Sequence, residues 1–138
     1  MPKSPTQRGM KLLREFGWQG EVVEVFVKPP GHKFGFRKDV LGLFDAIVFK
    51  PGPTIGSSHC LGAQFCAWGG VSAHRKKAEQ SPWLIPWLES GNGFAIYGFH
   101  PWENEERRDE CRIEEAAYDR SLAVVCWEKS TGQEVDQG

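Results

Sequence analysis

The spacing of apolar residues along the chain predicts an alternating series of helices and strands. An apolar stripe near helical spacing predicts a helix over residues 5–16, which Ser4 or Thr6 caps and Gly17 ends. Runs rich in β-branched and aromatic residues predict four strands, over residues 21–27, 42–50, 60–67 and 94–99.

The second half of the chain continues this alternation. Ser72 is the expected N-cap of a helix over residues 73–80, and Pro82 favours a further short helix that ends at Gly91. Two closing strands are expected, over residues 110–118 and 122–127. The stretch 113–117 also suits a helix, so the pattern leaves that choice open.

Size and composition are those of one globular domain. The chain has 138 residues, of which 40% are hydrophobic and 25% charged. We expect the domain to span residues 1–130, followed by a disordered tail over 131–138. No apolar run approaches the ~20 residues needed to cross a membrane, and the N-terminus lacks the apolar core of a secretory signal. We therefore expect no membrane association and a cytoplasmic location.

Charge is distributed unevenly, although the net charge is only −1. Residues 1–77 contain 12 Lys and Arg against 5 Asp and Glu, whereas residues 78–138 contain 5 against 13. A basic half favours a polyanionic partner, usually nucleic acid. The alternative is that the two halves attract each other.

The cysteines do not predict a metal centre. None of the four belongs to a C-x-x-C pair, which is the spacing typical of zinc sites. Cys60 and Cys66 lie an even number of residues apart on one predicted strand, so they share a face. We interpret them as buried thiols.

Candidate chemistry concentrates in the middle of the chain. Asp45 interrupts an apolar run, where a carboxylate is costly to bury without a partner. Gln64 lies in the next strand, as either a site residue or a hydrogen-bonded core amide. His74 to Lys77 begin the following helix, where cations oppose the helix dipole unless an anion binds there.

Three segments carry a family resemblance: Glu24-Val25-Phe26, Arg37 to Asp45, and Ala63-Gln64-Phe65-Cys66. Together they resemble the PD-(D/E)xK nuclease superfamily, which includes restriction-endonuclease-like enzymes and Holliday-junction resolvases. More narrowly, the segments resemble small phage and prophage proteins of that group. The resemblance covers about residues 8–100. It implies an α/β fold with a central mixed sheet flanked by helices, an α-β-β-β-α-β core and extra C-terminal strands.

The resemblance also implies a DNA substrate and a divalent cofactor, Mg²⁺ or Mn²⁺. Asp45 matches the metal-binding acid, Gln64 stands at the second acid, and Cys66 stands at the catalytic lysine. Because a thiol cannot replace an ammonium, Lys76 or Lys77 is the expected substitute. The acids that remain to complete the metal shell are Glu24 and Asp39. The residues expected to contact DNA are Arg37, Lys38, Ser72, His74 and Arg75.

Three functions follow as hypotheses. The first is a metal-dependent DNA endonuclease, acting on DNA structure as junction resolvases do and, like them, as a homodimer in a phage or its prokaryotic host. The second is a nucleic-acid-binding module of the same fold without catalysis, because the usual acid and lysine are missing. The third is an interaction protein whose acidic half binds a basic partner or mimics DNA.

Overall fold

The computed structural model describes residues 3–23, 25–28, 30–31, 33–50, 59–107 and 109–133, without the side chains of 25–27, 36–38 and 59. The helices are α1 (Pro5–Glu15), α2 (Val71–Glu79) and α3 (Leu84–Glu89). The strands are β1 (Gln19–Val22), β2 (Val25–Val27), β3 (Phe36–Lys38), β4 (Ala46–Lys50), β5 (His59–Ala67), β6 (Gly93–Phe99), β7 (Glu110–Asp119) and β8 (Val124–Gln133). None of the helices described is long and apolar enough to span a bilayer.

A six-stranded mixed sheet forms the centre of an α/β fold, as the sequence pattern predicts. Its strands lie in the order β1-β4-β5-β6-β7-β8, and only the β5–β6 pair is parallel among them. A parallel pair needs a long crossover connection, and here α2 and α3 form it. The short β2 and β3 pair with each other in a separate antiparallel ladder.

Helices cover both faces of the sheet. One face packs against α1 through Met10, Leu12 and Leu13, which contact the odd-numbered apolar residues of β5 and β6. The opposite face packs against α2 and α3 through Val71, Ala78 and Leu84. Because side chains alternate along a strand, the even-numbered residues of β5 and β6 face α2.

Local sequence explains the limits of α1. The Ser4 side chain accepts a hydrogen bond from the Gln7 N–H, and the Gln7 side chain accepts one from the Ser4 N–H, which is a capping box. At the other end Gly17 has φ 91°, a left-handed conformation that glycine adopts without steric cost. The predicted cap and stop are therefore both confirmed.

Two predicted elements near the N-terminus are wrong. The single strand expected over 21–27 is divided into β1 and β2, because β1 pairs with β4 while β2 pairs with β3. A short strand, β3, forms at a position for which the sequence pattern predicts no strand. Both errors come from a pairing partner that no local pattern reveals.

Three further boundaries differ from the prediction, and one open choice is decided. Strand β4 begins at Ala46 rather than at residue 42, because residues 41–43 form a turn. Helix α2 begins at Val71 with Gly70 as its N-cap, so Ser72 lies inside the helix and caps nothing. Strand β8 extends to Gln133, into the tail expected to be disordered, because its ladder with β7 continues to Glu110. Residues 134–138 lie outside the described part of the chain. The stretch 113–117 is strand, not helix.

Gly98 lets the first turn of α2 approach the sheet. A Cβ at this position would overlap the Val71 side chain and lie 3.2 Å from the Trp68 Cα and 3.3 Å from the Ala67 carbonyl oxygen. The absence of a side chain on β6 therefore sets how closely α2 packs over the even-numbered face.

We predict that Gly98→Ala lowers the free energy of unfolding by about 1–3 kcal/mol, because backbone must move to admit the methyl group. Urea unfolding measures the change. Gly69→Ala is the matched control, since a Cβ there meets nothing within 4 Å and its effect is expected within about 0.5 kcal/mol. Equal effects at the two glycines would contradict the close approach.

Candidate functional site

The structure places Asp45 beside Gln64, at the start of β4. The Asp45 N–H donates to the Ala63 carbonyl oxygen at 2.9 Å, and the Asp45 Oδ2 accepts from the Phe65 N–H at 3.0 Å. These two contacts flank Gln64 on both sides. Asp45 is 4% exposed and Gln64 5% exposed, so the predicted pair of oxygen-bearing side chains is brought together and largely buried.

Cys66, two residues further along β5, is a neutral thiol. Burial, together with the nearby Asp45 carboxylate, raises the pKa of this thiol to about 12. The Arg112 guanidinium acts in the opposite direction, and Glu114 acts with Asp45. Where the resemblance implies a lysine, the chain therefore carries an uncharged group. The guanidinium whose field reaches this thiol belongs to Arg112 on β7.

An ion triad lies on the same face of the sheet. The Glu114 side chain is 0% exposed, and its Oε1 accepts a hydrogen bond from Arg75 Nη1 at 2.5 Å. Its Oε2 lies 2.9 Å from Arg112 Nη2 without hydrogen-bond geometry, so that contact is an ion pair only. The pair with Arg75 joins the basic half of the sequence to the acidic half, as the alternative interpretation of the charge pattern predicts.

The register of the sheet explains how the triad comes to lie near Asp45 and Gln64. Ile96 on β6 pairs with Gln64 on one side and with Glu114 on the other. In the next row, Gly98 pairs with Cys66 and with Arg112. Paired residues share a face, so Glu114 and Arg112 project toward α2 as Gln64 and Cys66 do.

A second group of predicted residues meets on the outer side of α2. Lys77 Nζ lies 3.4 Å from Asp39 Oδ2, and Ser81 Oγ lies 3.4 Å from the Leu41 carbonyl oxygen, so the turn before β4 contacts the helix. Leu41 and Gly42 have φ 56° and 68°, which makes this turn tight. Lys77 is thus already paired, with its side chain 56% exposed.

His74 belongs to this second group and is neutral at pH 7. Burial and the nearby Lys77 ammonium lower the pKa of its imidazole below 6.5, against the smaller opposing effect of Asp39. It can therefore offer a hydrogen bond to an anion but no charge. Lys76 is exposed on the same helix, and Ser72 is half-buried.

The remaining predicted site residues are not brought together by anything described. Glu24 lies outside the described residues, as do the side chains of Arg37 and Lys38. Within the described part of the chain, no three His, Cys, Asp or Glu side chains converge to hold a metal ion. Of the predicted metal ligands that the structure describes, Asp45 and Gln64 lie beside each other, whereas Asp39 pairs with Lys77.

Glu114 and Arg112 are the residues that the sequence reasoning missed. Their signal was present: in a strand, residues 112, 114 and 116 share one face, and a buried carboxylate there requires a cation. Because the stretch 113–117 also suits a helix, the pattern alone does not show which of its side chains face the core.

An aromatic cluster closes the end of the sheet at which β5 and β6 finish. The Trp68 ring stacks on the His100 ring with centroids 3.8 Å apart. The Arg107 guanidinium lies over the same Trp68 ring, 5.9 Å from its centroid. The Arg8 Nη1 donates to the His100 carbonyl oxygen at 2.6 Å. These contacts fix the connection between β6 and β7, which carries the triad's Arg112 and Glu114 onto the sheet.

Comparison of the chain with protein-family models, curated proteins and solved structures finds no match. The geometry described above is therefore the basis for the functional argument.

We predict that Glu114→Gln lowers the free energy of unfolding by about 3–5 kcal/mol, because two guanidinium groups then face each other without a countercharge. Urea unfolding at pH 7 measures the effect. Glu110→Gln is the control: Glu110 is 36% exposed and pairs with the 55% exposed Arg107 and, at 3.5 Å, with His100, and exposed pairs of this kind contribute about 0–1 kcal/mol. A similar loss in both variants would contradict the buried triad.

We predict that Cys66 resists alkylation in the folded protein at pH 8, because it is buried and its raised pKa leaves almost no thiolate. Cys126 is exposed and should react first. Mass spectrometry after a timed iodoacetamide reaction identifies the labelled cysteine. Labelling of Cys66 at the rate of Cys126 would contradict a buried thiol, and unfolding in urea should make both reactive.

Proposed function

We propose that the protein is a metal-dependent DNA endonuclease with a PD-(D/E)xK-like core. The observation that supports it most is the placement of the buried Asp45 beside Gln64, under a helix that carries four consecutive basic residues. The order α1, β1, β4, β5, α2, β6 agrees with the helix-strand-strand-strand-helix-strand core of that superfamily. The β2–β3 ladder is then an insertion, and β7 and β8 are extra strands.

The donor atoms at this position fit a hard divalent cation. The candidate ligands are the Asp45 carboxylate, whose Oδ2 accepts a hydrogen bond from the Phe65 N–H, and the Gln64 amide oxygen. Mg²⁺ commonly uses one or two carboxylates together with waters and substrate phosphates, so a sparse protein shell is sufficient. A cation held there would lower the pKa of a water molecule and stabilise negative charge on the phosphodiester.

The residues of the chain would position the substrate. The hydrogen bond from the Phe65 N–H holds the Asp45 carboxylate in one orientation, which is the preorganisation that catalysis needs. The exposed Lys76 and Lys77 give α2 a basic outer surface for the DNA backbone. His74, neutral at pH 7, would contribute a hydrogen bond to a phosphate oxygen.

A second candidate is a nucleic-acid-binding module that has lost cleavage. Two observations favour it: Cys66 is a neutral thiol at the position of the catalytic lysine, and Lys77 pairs with Asp39. In this alternative the basic surface binds DNA and the polar pair at Asp45 is a structural remnant. Cleavage assays with a charge-neutralising variant separate the two candidates.

We predict that Asp45→Asn reduces Mg²⁺- or Mn²⁺-dependent cleavage by about 10²–10³-fold, because it removes the ligand charge. Asparagine keeps a carbonyl oxygen for the Phe65 N–H, so the fold should survive. The substrates are labelled linear duplex, single strand, flap and four-way junction DNA. Asp119→Asn is the matched control, because Asp119 is the last residue of β7 and its side chain accepts a hydrogen bond from the Ser121 N–H in the turn that follows.

Each outcome of this assay identifies one function. Metal-dependent cutting that Asp45→Asn abolishes and Asp119→Asn leaves intact supports the endonuclease. Salt-sensitive DNA binding without any cutting by the wild-type protein supports the binding module. Cutting that survives Asp45→Asn would mean that the active site lies elsewhere, and absence of both binding and cutting would contradict both candidates.

A further inference from the structure

The Arg75–Glu114–Arg112 triad has more positive than negative charge. One carboxylate faces two guanidinium groups at 2.5 and 2.9 Å, so a full positive charge remains after pairing. A further acid, Glu79, partly offsets this charge: its Oε1 lies 4.0 Å from Arg75 Nε, and its side chain is 46% exposed. Lys129, which pairs with Glu114 across the β7–β8 ladder, adds another cation on this face.

The two arginines also retain unused hydrogen-bond donors. A guanidinium group carries five N–H donors in a fixed fork, and within the described part of the chain Arg75 uses one of them on Glu114. Arg112 makes no hydrogen bond to Glu114 Oε2 despite the short distance. Their side chains are 22% and 27% exposed, so water or a ligand can reach them.

The two β7 residues of the triad lie two strands away from Cys66, on the same face of the sheet. Arg112 and Cys66 are paired with Gly98 from opposite sides, and the Val71 side chain packs over this glycine. The field of Arg112 reaches Cys66, as does that of Asp45. A guanidinium therefore approaches the place where the resembling enzymes carry their lysine, but it comes from β7.

We propose that Arg112 and Arg75, oriented by the buried Glu114 carboxylate, form a phosphate-binding fork that holds a DNA phosphate at the accessible edge of the face on which Asp45 and Gln64 are buried. Arginine suits this role because its planar fork can donate two parallel hydrogen bonds to one phosphate. Glu114 acts as a positioning residue, since it holds both guanidinium groups and is itself inaccessible. The identity of the ligand as DNA rests on the proposed function, whereas the phosphate site can be tested separately.

The first test is the salt dependence of DNA binding, measured by fluorescence anisotropy with a labelled duplex at several salt concentrations. Each phosphate contact contributes about 0.9 to the slope of log K against log salt concentration, so Arg112→Gln should reduce the slope by about that amount. Arg120→Gln makes the same chemical change in the turn that follows β7 and should leave the slope unchanged. A change in packing alone would not alter the slope.

The second test uses inorganic phosphate as the probe and does not need DNA. Thermal unfolding of the wild-type protein is followed in sodium phosphate and in sodium chloride of equal ionic strength. Phosphate should raise the Tm more in the wild type and in Arg120→Gln than in Arg112→Gln, because a bound anion stabilises the folded state. The general stabilisation by phosphate salts is common to all variants and cancels in the comparison.

The outcomes separate this proposal from the proposed function. DNA binding with an unchanged slope in Arg112→Gln would overturn the fork and leave the endonuclease proposal in place. Protection by phosphate that depends on Arg112, without any DNA binding, would support the fork and contradict the endonuclease. Absence of both effects would overturn the fork. If Arg112→Gln does not fold, Arg112→Lys keeps the charge but loses the fork, and DNA affinity equal to that of the wild type would then overturn the proposal.

Discussion

The buried carboxylate of Glu114 is the constraint on which the α2 side of the molecule depends. A carboxylate at 0% exposure is stable only with positive partners, and Arg75 and Arg112 supply them. Arg75 lies on α2 and Glu114 on β7, and these two elements are not consecutive in the chain. Their contact therefore fixes the position of α2 relative to β7. The triad thereby determines which side chains lie under α2 and which remain accessible.

Close packing at Gly98 works together with this ion triad. The glycine admits the first turn of α2 against β6, and Arg75, one turn later, reaches Glu114. Apolar contact through Val71 and ionic contact through Arg75 therefore act on the same helix at successive turns. The polar residues of β5 lie under this helix, which explains why Gln64 and Cys66 are nearly inaccessible although neither is part of a purely apolar core.

The candidate site combines the buried residues Asp45 and Gln64 with a positive charge on β7. Asp45 and Gln64 lie together as the nuclease resemblance implies, while the place of the lysine is taken by a neutral thiol. The lysines expected to replace it, Lys76 and Lys77, lie on the exposed side of α2, and Lys77 pairs with Asp39. Positive charge reaches the site instead from Arg112, which belongs to the acidic half of the chain. This arrangement favours phosphate binding more directly than it favours activation of water.

Local rules of sequence determined most of the elements: the α1 cap at Ser4, its end at Gly17, the strands β5 and β6, the C-terminal part of the strand predicted over 42–50, and the unusual character of an acid at Asp45 within an apolar run. These features depend on residues a few positions apart, which a pattern can represent. The division of β1 from β2, the extension of β8 and the triad at Glu114 were decided only by the tertiary structure. Each depends on a partner distant in sequence, because cross-strand register and helix crossing arise from the packing of the whole sheet.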